Sequence, residues 1–123
     1  MTSTIQKSCN CLDENTNHSE TLEFEELPKV LFIVVNRYSI DSRSSKNESF
    51  VIINIQIIIN GHVFDRIATI YHHGCLTSSG HYTSKLSYTN TCYICDDHNV
   101  STTDILHIEQ SKSCYIVLYA RRD

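Results

Sequence analysis

A chain of 123 residues is long enough for one domain with its own core and too short for two. With 10 Lys and Arg against 14 Asp and Glu, and a formal net charge of −4, it carries no basic patch, which excludes nucleic-acid binding through phosphate neutralisation. The longest apolar run, "FVIINIQIII", is about half of what a helix needs to cross a bilayer, so no membrane span is expected.

Residues 1–22 are rich in Asn, Ser, Thr and acid, and are read as an irregular lead-in to a domain over 23–123. They lack the apolar centre of a secretory signal. That points to an intracellular setting, cytoplasm or nucleus, where the six cysteines stay as thiols.

The run "KVLFIVVNRY" starts behind Pro28, a residue suited to a strand's first position. It is apolar on both faces, which predicts a central strand in a covered sheet. After the polar loop 39–49 the pattern alternates. Ile53, Ile55, Ile57 and Ile59 share one face, with Asn54, Gln56 and Asn60 opposite beside Ile52 and Ile58. Asn60-Gly61 then signals a two-residue hairpin into "VFDRIATIYHH". "GHYTSKLSY" and "TCYIC" predict a further hairpin across Thr89–Thr91, and "STTDILHIE" leaves room for one helical turn. "SCYIVLYARR" closes the sequence as a buried strand. The fold class is strand-dominated α+β with a mostly antiparallel sheet.

The chemistry concentrates around His81. An imidazole used in acyl transfer needs a nucleophile on one nitrogen and a carboxylate or amide on the other. A β-hairpin brings the start of one strand beside the end of the next, so it can put an Asp96 oxygen near the His81 ring, with Asp97 as its neighbour. A surface histidine beside a turn Asp pair fits the same residues.

At "HHGCLTSSGHY" the sequence resembles the histidine box of the ubiquitin-specific proteases, papain-like cysteine hydrolases. Phe64, Ala68, Ile70, His72, Gly74 and Gly80-His81-Tyr82 take the family's places in order. "LPKVLFIVVNRY" is similar to the family's Leu-Pro strand ending in Arg and an aromatic, here Arg37 and Tyr38. "DDHNV" resembles its acidic pair, and "CYIVLY" its final strand. The resemblance spans about Leu27 to Tyr119 and implies the palm half of such a domain.

It also implies roles. His81 is the base, Asp96 orients its ring, and Asp97 is a neighbouring acid near the water or oxyanion. Gly80, Tyr82 and His72 belong to the channel for ubiquitin's Gly-Gly tail, with Gly80 allowing close backbone approach. Ubiquitin or a ubiquitin-like protein is the implied partner.

The departures are specific. No Asn-box cysteine at a helix start precedes His81, so the nucleophile is expected from a missing N-terminal half, cut from this sequence or supplied from elsewhere, and this chain alone is expected to be inactive. "NTCYIC" imitates that box, but Cys92 lies after the histidine, within a strand. Arg66 stands where an apolar residue is usual, a sign of relaxed constraint. Cys9 and Cys11 fall near a zinc-ribbon pair but lack the partner pair. Even with His18 they fall short of about four ligands, so no metal or cofactor is expected. Cys75, Cys95 and Cys114 are read as small core or loop residues, His73, His98 and His107 as solvated, and His62 as a turn residue. The alternative function is a catalytically inactive relic that binds ubiquitin or a similar fold. The uncharged β-prone run at 50–59 predicts poor solubility or self-association of the isolated chain.

Overall fold

The computed structural model describes residues 2–9, 14–38, 46–76 and 78–123, without the side chains of 2–9, 14–16 and 18. Within 1–22 it holds a hairpin in place of the expected irregular lead-in. Strand β1 (Thr2–Cys9) pairs with β2 (Glu14–Thr21) from Thr2↔Thr21 to Cys9↔Glu14. No alternation of apolar residues marks these strands in the sequence; the backbone ladder between them defines them.

The main sheet is antiparallel throughout. Strand β3 (Val30–Val34) lies at one end beside β11 (Cys114–Arg121), which is followed by β6 (His62–His73), β7 (His81–Tyr88), β8 (Thr91–Asp96) and β9 (Asn99–Thr103). The expectation for β3 is corrected here: it is an edge strand. Leu31 and Val35 turn toward the core, while Phe32 and Val34 on the other face are 66% and 57% exposed. A run apolar on both faces needs two covers, and the described residues supply one.

The isoleucine-rich run divides at Ile55 into β4 (Val51–Asn54) and β5 (Gln56–Ile59). Strand β5 turns through Asn60 and Gly61, both with positive φ, into β6, as the Asn-Gly pair requires. Strand β4 pairs instead with β10 (Ile108–Ser111). The predicted faces hold: Ile53 is fully buried and Ile55, Ile57 and Ile59 are half-buried, while Ile52, Asn54, Gln56 and Ile58 are exposed. Ile53 joins Phe64 and Tyr71 of β6 and Cys114, Val117 and Tyr119 of β11 in one buried cluster.

No helix occurs among the described residues, and the turn expected near Ser101–Glu109 is absent. The Leu106 carbonyl accepts from Arg66 Nη2 and the His107 carbonyl from Ile55 N–H. Both acceptors are committed to distant partners instead of an i→i+4 ladder.

Candidate active site

Strands β6 and β7 deliver two adjacent side-chain pairs at their joined end, with His72 opposite Tyr82 and His73 opposite His81. Strand β8 returns from the two-residue turn Thr89–Asn90, both with positive φ, and ends on Asp96. Asp97, also at positive φ, turns the chain into β9. The hairpin thus sets the last residue of β8 beside the first residue of β7.

His81 Nε2 lies 2.5 Å from Asp96 Oδ1, and both side chains are about half exposed. A ring nitrogen of His81 and one carboxylate oxygen each of Asp96 and Asp97 all fall within 4.8 Å of one another. The hydrogen bond to Asp96, then the Asp96 charge and more weakly that of Asp97, raise the His81 pKa above its ordinary value. Since Nε2 is engaged by the carboxylate, Nδ1 is the nitrogen left for a reacting proton.

The other expected site residues divide. Tyr82 is exposed and packs its ring 4.8 Å from that of His72. His72 is buried, its Nδ1 2.8 Å from the Tyr38 hydroxyl. Gly80 does permit a close approach, and the group that approaches is the chain's own His72 ring. His73 is exposed, with Nε2 2.7 Å from Thr83 Oγ1. Partial burial, then the charges of Lys46 and His81, lower its pKa. His73 and Thr83 also border an open groove of about 410 Å³ that continues along Tyr71, Lys85 and Ile94.

Several buried charges surround the site, and the sequence assigns none of them a role. Arg37 is matched by the resemblance without a role, and it donates to the carbonyls of Cys114, Asn47, Ser49 and Ser111 at 2.7–3.0 Å. Lys46 donates through Nζ to the His72 carbonyl, and burial, then Arg37, lower its pKa. Glu109 accepts from the Tyr71 hydroxyl at 2.6 Å and from Lys85 at 2.9 Å, with Arg66 3.9 Å away. Arg66 also holds the Ile53 and Leu106 carbonyls, so its apparent misfit is a satisfied structural cation.

Cys92 and Cys114 do not offer a nucleophile's geometry. Cys92 is buried in β8 opposite Ser87, far along β7 from His81. Cys114 is fully buried, and burial pushes its thiol up to about 11. Cys75 and Cys95 are free thiols. The considered zinc ligands fall outside what is described: Cys11 entirely, and Cys9 and His18 in their side chains.

The sequence profile described as ubiquitin carboxyl-terminal hydrolase matches residues 1–119. Comparison with curated protein sequences finds no match. Among solved structures, the SAGA DUB module of Ubp8, Sgf11, Sus1 and Sgf73 bound to monoubiquitin is similar, with a TM-score of 0.74 at 16% identity. That match covers 100% of this chain and 30% of the matched one. The same module bound to ubiquitin aldehyde gives a TM-score of 0.65 at 16% identity, over 100% of this chain and 31% of the other. A yeast SAGA DUB module gives 0.72 at 17% identity, again over 100% and 31%. At these identities the likeness is one of fold, and the chain spans under a third of the length of each of these three matched chains.

Proposed function

Because the chain belongs to the ubiquitin carboxyl-terminal hydrolase family, we propose that it is the C-terminal, histidine-bearing part of a deubiquitinase catalytic domain. The observation that carries this is the hydrogen bond between His81 Nε2 and Asp96 Oδ1 where β7 begins and β8 ends. Two of the matched structures hold monoubiquitin or ubiquitin aldehyde, which supports ubiquitin's C-terminal tail as the substrate class. Residues 23–123 carry the palm part of the domain, with residues 1–22 as its lead-in.

The reaction is thiol-dependent hydrolysis of the amide or isopeptide bond after ubiquitin's terminal glycine. Nδ1 of His81 takes the proton of a cysteine thiol supplied by residues outside these 123. Asp96 fixes the ring through Nε2 and stabilises the imidazolium that forms. The thiolate attacks the carbonyl, and the imidazolium returns its proton to the leaving amine. A water, deprotonated by the same nitrogen, then releases ubiquitin from the thioester. Asp97, with an oxygen within 4.8 Å of the other two groups, is assigned to the water or the oxyanion, and Tyr82 offers an exposed ring to the tail. The Cys75, Cys92, Cys95 and Cys114 thiols are free. None of the described residues forms a helix long and apolar enough to cross a membrane.

Ubiquitin binding without hydrolysis is the second reading, favoured by the buried position of Cys92 and its distance along β7 from His81. One experiment separates the two. The native transcript is read upstream of the Met1 codon, and the protein it encodes is assayed on a ubiquitin C-terminal amide. An in-frame cysteine box, turnover, and loss of turnover in His81→Gln are expected. Ubiquitin binding with no turnover in the native protein supports the second reading, and neither binding nor turnover overturns both.

A further inference from the structure

His72 lies next to the proposed reacting pair without touching it. It is the second-last residue of β6, and only 2% of it is exposed. Four contacts hold it: the Tyr38 hydroxyl at Nδ1, Lys46 Nζ on its carbonyl, the Ser113 carbonyl on its N–H, and the Tyr82 ring across the ladder. The Tyr38 ring meets it edge-on at 5.7 Å.

The backbone of Gly80 occupies the remaining side of the ring. A Cβ at Gly80 would come within 2.3 Å of His72 Nε2, 2.9 Å of its Cε1 and 2.5 Å of the His73 carbonyl oxygen. Only glycine fits this contact, and the residue that follows it is His81. The His81 ring itself is half exposed, with Asp96 as its hydrogen-bond partner. Its geometry therefore depends on where the backbone enters β7.

We propose that His72 is a positioning residue: its anchored ring is the seat on which Gly80 rests, and that seat holds His81 within hydrogen-bonding distance of Asp96. This rests on the reading of His81 and Asp96 as the reacting pair. Displacements of about 1 Å at a reacting group are enough to cost roughly a hundredfold in rate. A ring locked by Tyr38 and Lys46 resists such displacement where a solvated loop would not. His72 then acts through the backbone rather than on substrate.

The test follows the NMR titration of the His81 ring in the full chain, with Asp96→Asn setting the value for an uncoupled ring. His72→Ala is expected to lower the His81 midpoint to the Asp96→Asn value, and Tyr38→Phe to lower it part of the way. His72→Phe, which keeps a ring against Gly80, retains most of the wild-type midpoint. Amide shifts along β11 stay in place in all three. An unmoved midpoint in both His72→Ala and Tyr38→Phe overturns the proposal, as does an equal fall in His72→Phe and His72→Ala. Where His72→Ala fails to fold, Tyr38→Phe decides on the same criterion. If Asp96→Asn itself leaves the midpoint unchanged, the reacting pair is absent and the functional reading falls with the seat. If Asp96→Asn lowers the midpoint while the other variants do not, only the seat falls.

Discussion

Two polar clusters share strand β7 and differ in their contact with water. At its start, His81 meets Asp96 with both side chains about half exposed. Four residues on, Lys85 reaches Glu109, which also receives the Tyr71 hydroxyl and faces Arg66, nearly all of it buried. A proton acceptor that serves a substrate must be reachable, and an exposed charge is cheaply solvated. A buried charge has no such freedom and persists only where every donor and acceptor finds a partner. The first cluster is suited to chemistry, and the second ties the β4–β10 ribbon to the sheet.

Substitutions should separate the two kinds of cluster. The largest expected effect is at Arg37, whose guanidinium serves four carbonyls from two separate stretches of chain. Arg37→Met should cost about 3 kcal/mol or more in urea unfolding, because the Ser111 and Cys114 carbonyls stay buried without a donor. A loss below about 1 kcal/mol would show that water reaches them. Next comes Tyr71→Phe, which deprives Glu109 of a buried donor and should cost about 1–2 kcal/mol. Burial, then the hydrogen bond to Glu109, hold the Tyr71 hydroxyl protonated well above its ordinary range, so this loss should not vary with pH near neutrality.

The smallest effect concerns the two cross-strand histidines, whose pKa shifts oppose each other. His81 is raised above 6.5, so its contribution to stability is complete below 6.5 and disappears as pH rises through its folded pKa. His73 is lowered, so it penalises the fold as pH falls from 6.5 through its own folded pKa. Replacing His73 with Gln should leave the His81 contribution unopposed. Stability measured by urea unfolding between about pH 8 and pH 6 should then rise more steeply on acidification than in the wild type. Identical slopes would mean that the two rings do not titrate with opposite effect.

Local features of the sequence carried much of this fold. Asn60-Gly61 named its hairpin, the alternation from Ile53 to Ile59 named its faces, and "GHY" with "DD" located the residues that meet at His81. The remainder depended on parts of the chain far from each other. Strand β3 reads as central because composition cannot say which neighbours a strand lacks. The break at Ile55 arises because its N–H bonds His107 while its carbonyl bonds Arg66. Arg66 looks misplaced until the Ile53 and Leu106 carbonyls and Glu109 gather round it. Arg37 finds acceptors 74 and 77 residues away, a distance over which no local pattern speaks.

The most direct measurement of the central claim is the titration of the His81 ring in the wild-type chain and in Asp96→Asn. A wild-type midpoint above 6.5 that falls on substitution, with unfolding stability at about pH 8 unchanged, is the predicted result. A midpoint at the ordinary histidine value, indifferent to Asp96, would contradict it and leave His81 as a surface histidine beside a turn.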